Sequence, residues 1–109
     1  MAWLLRQGEV LASLEVARAS SGRVRGGLKR GTQVGALLFV ARRSAHTLGA
    51  RAVLDVAFLD ADLVVLSTCR MRPNRIGLPR RHAHAVLEAE AGAFERWNLR
   101  PGDRLEIEA

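Results

Sequence analysis

A mainly β fold is predicted: a small single-domain β sandwich, jelly-roll-like, or a partly open barrel, with one short helix. Three observations predict it. Apolar and polar residues alternate at a period of two through most of the chain. Clusters of Asp, Gly, Pro and Asn separate these segments. Of the 109 residues 49% are hydrophobic, but with three Phe, two Trp and no Tyr the core must be built from Val, Leu and Ala.

The elements follow in order. Residues 10–17 set Val10, Ala12, Leu14 and Val16 against Leu11, Ser13, Glu15 and Ala17, a first strand. Residues 36–41 (ALLFVA) form a short apolar run suited to a buried strand. Residues 54–59 place Leu54, Val56 and Phe58 on one face, and Asp60-Ala61-Asp62 turns the chain into a second strand over 63–69. Residues 82–91 (HAHAVLEAEA) alternate as a half-buried strand, with Ala83, Ala85, Leu87 and Ala89 on one side. Phe94 and Trp97, three residues apart, suit one short helix within 91–99. Pro101-Gly102-Asp103 turns into a last strand over 104–108. Residues 22–31, with four of the ten glycines, and residues 70–81, with Pro73, Asn74, Gly77 and Pro79, break the pattern as loops. No repeat or linker divides the chain, so residues 1–109 read as one domain.

The formal net charge is +6, and its distribution is uneven. No acidic residue lies between Glu15 and Asp55 or between Asp62 and Glu88, and both stretches carry many arginines. Such a field steers anionic partners. Only Lys29 among the 17 basic residues is lysine, a composition that a coding bias towards arginine also produces. The single Cys69 cannot form an intramolecular disulfide, and the first residues lack the apolar stretch of a secretory signal, so a cytoplasmic location is expected. The longest apolar run, residues 34–41, is far too short to cross a bilayer, and no membrane partner is expected.

The order of several segments resembles a known family. Residues 35–39 (GALLF), 46–51 (HTLGAR) and 54–60 (LDVAFLD) look like the middle of family 192 of the domains of unknown function. Residues 23–30, 86–92 and 101–105 are similar to its basic Gly-Leu loop, its closing strand and its Gly-Asp turn. The resemblance runs from about Leu14 to Glu108 and implies a compact jelly-roll-like β sandwich with a short helix. It implies no activity. This chain has Ala50 and Val53 where the family commonly has Met and Pro.

No catalytic constellation emerges. His82-x-His84 on a strand would point both imidazoles one way, and with Glu88 it resembles the first half of a cupin metal motif; no histidine follows to complete the set. His82 and His84 are therefore weak metal candidates against a solvent face where His alternates with Ala, and no cofactor is expected. Residues 26–32 have the glycine spacing of a phosphate loop, but Thr32 stands where its lysine should. Cys69 ends an apolar strand and suits a core thiol. Asp60 and Asp62 suit a turn, and nothing fixes Ser44, His46 and Asp55 as a triad.

The candidate ligand site is Arg30, His46, Thr47, Arg51 and Asp55, because an arginine fork holds a carboxylate or phosphate through two bonds. An internal pairing of Arg51 or Arg30 with Asp55 is the alternative. The function expected is a non-catalytic binding or accessory module whose basic loops take a small anionic or peptidic ligand, with a protein partner as another possibility. Electrostatic nucleic-acid binding is the alternative, and it lacks a stacking platform, since the Phe and Trp sit in apolar or helical settings. A metal-dependent enzyme using His82 and His84 is the weakest of the three.

Overall fold

The computed structural model describes residues 2–18, 35–48 and 50–109. Its strands are β1 (Ala2–Arg6), β2 (Glu9–Arg18), β3 (Ala36–Val40), β4 (Leu54–Leu59), β5 (Val65–Met71), β6 (Ala85–Glu90) and β7 (Glu106–Glu108), with α1 (Ala93–Arg96) before the last. All seven form one sheet in the order β5-β4-β6-β3-β2-β1-β7. Only β2 and β3 run parallel; every other neighbouring pair is antiparallel.

The sheet curls because one of its faces is apolar along its whole width. Leu4, Leu14, Leu38, Leu59, Val65, Leu87 and Leu105 come from successive strands or their approaches and share a single core cluster. A flat sheet would leave half of this surface wet; curling removes it from water at roughly 25 cal/mol per Å². The two edges meet briefly, where Val64 bridges Arg104, the Val65 amide donates to the Asp103 carbonyl at 2.8 Å and the Leu105 amide donates to the Leu63 carbonyl at 2.9 Å. Of the predicted alternatives this is the partly open barrel: one sheet, curled and not closed.

The middle strands bury their other face too. Leu37, Phe39, Val56, Phe58 and Val86 form a second cluster with Ala45, Ala50 and Ala83, which come from the connecting segments. Every residue of β4 is buried. Strand β6 is buried except for Glu90, so the half-buried strand predicted there is corrected to one covered on both sides. Its central place between β3 and β4 is the reason. Glu88 goes with it, 1% exposed and in register with Leu37 and Val56 of the outer cluster.

Three further differences from the sequence reading have local causes. Strand β1 was not anticipated; its hairpin to β2 turns at Gln7-Gly8, both with positive φ (51° and 78°). Leu11 is an extra residue in β2, since Leu4 faces Ala12 while Leu5 faces Val10. This bulge lets Leu11 and Ala12 both pack on the inner core, which strict alternation forbids. Strands β5 and β6 begin later than predicted, at Val65 and Ala85.

The short helix sits where expected, with Phe94 and Trp97 rings 5.7 Å apart. Arg6 ties its end to β1. Its guanidinium donates to Asp103 Oδ2 at 3.0 Å, to the Trp97 carbonyl at 2.7 Å and to the Asn98 carbonyl at 3.2 Å. Arg6→Met should keep the aliphatic stem and lose all three bonds. We expect it to lower the free energy of unfolding by about 1–3 kcal/mol, read from the urea midpoint.

Candidate functional site

Two connections cover the outer core, residues 41–53 between β3 and β4 and residues 72–84 between β5 and β6. They lie antiparallel against each other. The Arg80 amide donates to the Arg43 carbonyl, Gly77 to Ala45 and Thr47 to Arg75, each at 2.8 Å, and His46 bridges Ile76. A Cβ at Gly77 would stand 3.1 Å from the Ala45 carbonyl, so the close approach at that step favours glycine.

Thr47 is the staple of this pair. It is fully buried. Its hydroxyl donates to the Arg72 carbonyl at 2.5 Å and accepts from the Arg75 amide at 2.9 Å. Its own carbonyl accepts from the amides of Asn74 and Ala50. An irregular connection has no ladder to satisfy its backbone, so one buried hydroxyl with a donor and two acceptor positions is an economical substitute.

The rest of the predicted set is dispersed. His46 is half-buried on the same connection, and its Nδ1 accepts weakly from the Leu48 amide at 3.4 Å. Burial, and then the nearby Arg42 guanidinium, hold its pKa below the ordinary 6.5. Arg51 follows the Thr47–Ala50 turn, exposed and with no ion pair among the described residues. Arg30 and the glycine-rich stretches at 22–31 and 26–32 lie outside the described residues.

Asp55 belongs to the other side of the sheet. In register it faces Ala89 of the inner core and Arg70 of β5. Its Oδ1 accepts from Arg70 Nε at 3.0 Å, and its Oδ2 accepts from the amides of Gly92 (3.0 Å) and Phe94 (3.1 Å). The N-cap of α1 is Gly92, which has no side chain to cap with and holds φ at 97°. Asp55 supplies that cap from across the sheet, where a carboxylate also meets the positive end of the helix. Its ion-pair partner is thus Arg70, not Arg51.

The two histidine candidates do not share a strand. His82 lies in a turn with φ at 68°, His84 just precedes β6, and both are exposed around a buried Ala83. The alternation that would have aligned their imidazoles begins only at Ala85. Among the described residues no group of three or more His, Cys, Asp or Glu is placed to hold a metal. Burial pushes the Cys69 thiol up, against the opposing effect of Arg80, which leaves it a poor nucleophile.

What the sequence reading left out of the site is the set of arginines brought together by the paired connections. Arg43, Arg72, Arg75, Arg80 and Arg81 are exposed on these connections, as is Arg51. Arg42 and Arg80 lie over the rings of Phe39 and Phe58, 4.4 and 4.7 Å from the centroids, so they shield the outer core while their charge stays near solvent. Neither connection contains an acidic residue. That acid-free stretch was the available signal; what it lacked was the pairing. A separate cleft of about 350 Å³ opens on the opposite side, between Arg70 and Cys69 of β5 and Phe94, Asn98 and Arg100.

The family model of DUF192, described as uncharacterized, matches residues 3–107. The chain belongs to DUF192. A UPF0127 protein of Pyrococcus furiosus is 35% identical over 63 residues, a match that covers 58% of this chain and only 54% of that protein. Two solved structures share the fold. One is a protein of unknown function from Novosphingobium aromaticivorans (TM-score 0.68, 23% identity, 96% of this chain and 82% of that one). The other, from Sinorhizobium meliloti 1021, is named a "putative transcription regulator" (TM-score 0.71, 24% identity, 97% and 91%). At such identities the likeness concerns the fold alone. The DUF192 family is uncharacterised, so the site has to speak through its own chemistry.

Two outcomes follow. Thr47→Val leaves the Arg72 carbonyl and the Arg75 amide without their partner, and should cost about 2–4 kcal/mol of stability in urea unfolding. His46 gives a pH signature. Because its folded pKa is depressed, the unfolded chain binds the extra proton first as pH falls. Its contribution is therefore whole above pH 6.5 and is lost as pH drops towards the lower folded value. His46→Gln should flatten the dependence of melting temperature on pH in that window.

Proposed function

We propose that the protein is a non-catalytic binding or accessory module, and that the arginine-bearing surface of residues 41–53 and 72–84 holds a small anionic or peptidic ligand. The observation that carries this reading is that Arg43, Arg51, Arg72, Arg75, Arg80 and Arg81 are exposed on two connections whose backbones pair with each other and which contain no carboxylate. Like charges held together without counter-ions repel one another, and an anion relieves that repulsion. Each guanidinium also offers a planar fork that matches a carboxylate or phosphate. The stapled backbone fixes where these side chains start, which lowers the entropy lost on binding. In this reading Arg51 contacts the ligand, while Thr47 and His46 act by positioning the surface. Asp55 serves the helix.

Tripolyphosphate is a suitable probe because it presents several oxyanions without a base or sugar. Calorimetric titration at low ionic strength should show binding that weakens steeply as salt is added. The triple variant Arg51→Ser, Arg75→Ser, Arg81→Ser should bind at least about tenfold more weakly with its melting temperature unchanged, since each charge-assisted contact is worth roughly 1.5–3 kcal/mol. Binding that is absent, or equal in the variant, would reject the reading. Duplex DNA titrated in parallel tests the nucleic-acid alternative.

A further inference from the structure

The tip of residues 72–84 carries two aliphatic side chains that the binding of a small anion does not use. Ile76 and Leu78 are 75% and 82% exposed, more than any other large hydrophobic side chain among the described residues. A single exposed aliphatic residue is ordinary, but two of the most exposed ones two positions apart on one loop tip form a grouped apolar feature. Their placement is not accidental slack. Ile76 is held by its bridge to His46, and Gly77 between them donates to Ala45. Pro73 and Pro79 bracket the segment and limit its backbone freedom.

Exposure that high means the two side chains stand out from the surface instead of lining a depression. Leu48, 44% exposed, lies on the partner connection. Arg72, Arg75, Arg80 and Arg81 are exposed on the same connection, which carries no acid, so the protruding apolar groups share their segment with cations alone. This arrangement matches one solvent well. At the surface of an anionic bilayer, aliphatic side chains enter the boundary of the acyl chains while guanidinium groups stay with the phosphates. A protein partner would have to present a pocket for the two aliphatic residues and carboxylates around it.

We infer that the tip at Ile76 and Leu78 is a wedge by which the protein docks on anionic phospholipid surfaces, with the exposed arginines of the same connection on the headgroup phosphates. The inference rests on the anion-binding reading above and names the source of the anion. Docking requires no spanning segment, so it stands apart from the finding that no helix among the described residues is long and apolar enough to cross a membrane. The expectation of no membrane partner, drawn from the length of apolar runs, does not reach this kind of contact. Two aliphatic side chains and a handful of arginines make a weak, reversible anchor that depends on both parts.

The test is co-sedimentation with vesicles of phosphatidylglycerol and phosphatidylcholine, about one to two, against vesicles of phosphatidylcholine alone, near physiological salt. Binding to the first and not to the second is expected. Ile76→Ser with Leu78→Ser should reduce it by at least about tenfold, as expected for two aliphatic groups withdrawn from the acyl boundary. Val10→Ser, at a 56% exposed position on β2, should leave it unchanged. Far-UV circular dichroism and melting confirm that each variant is folded. Equal binding of wild type and the double variant to anionic vesicles would overturn the wedge and leave headgroup electrostatics. Failure to bind vesicles while tripolyphosphate still binds would overturn the membrane inference alone. Failure of both probes would remove the anion-binding reading as well.

Discussion

Burial of the middle strands on both faces is the constraint from which the rest follows. A strand such as β4, with every residue covered, needs two apolar partners where an ordinary edge strand needs one. The curl of the sheet supplies the first, since it brings β1, β2, β5 and the approach to β7 around the inner cluster. The second must come from the connections, because the only helix among the described residues is the four-residue α1 and it packs on the inner side. Residues 41–53 and 72–84 are therefore pressed onto the outer face, with Ala45, Ala50 and Ala83 as their contribution to the core. The alanines are small enough to let backbone lie close to Phe39, Val56 and Phe58.

Pressing a connection against a core makes its backbone polar groups hard to satisfy, and that difficulty explains the polar residues. Thr47 resolves it on the outer side, where one hydroxyl and one peptide unit serve residues 72–75. Asp55 resolves it on the inner side, where the helix begins at a glycine without a side chain. Both residues look chemical in sequence and act structurally. The arginines are left facing outward by the same packing: Arg42 and Arg80 close over the aromatic rings, and their neighbours have no counter-charge within reach on either connection.

Period-two alternation made β2, β4 and β7 legible, short apolar runs β3 and β5, and Pro101-Gly102-Asp103 the final turn, because strand and turn geometry is written locally. Strand β1 escaped because Ala-Trp-Leu-Leu-Arg does not alternate cleanly, and Gln7-Gly8 is a weaker turn signal than Asn-Gly or Asp-Gly. The two-sided burial of β6 was invisible for a different reason. Glu88 and Glu90 look like a wet face, and only the order of strands reveals that Glu88 lies under a layer of chain. The site was partly legible. The stretch from His46 to Asp55 stands out in the sequence, and His46, Thr47 and Arg51 do sit together on the connection between β3 and β4. Asp55 is grouped with them in the sequence reading as a polar partner for arginine, although the strand's pleat sends it to the opposite face. The alignment of residues 43–47 with 75–80 bridges about thirty positions without a regular pattern, so no periodicity announces it.

The place of β7 has a bearing on biosynthesis. Trp3 pairs with Glu108, so the earliest strand of the sheet waits for the latest before its outer edge is covered. While the chain emerges from a ribosome, β1 and β2 can form their hairpin at once, but the inner core stays open until Leu105 and β7 arrive. During that interval the Leu4 and Leu14 side chains are exposed to any passing strand or chaperone. Vectorial synthesis thus gives the N-terminal hairpin a period of vulnerability that ends only with the last few residues of the sheet.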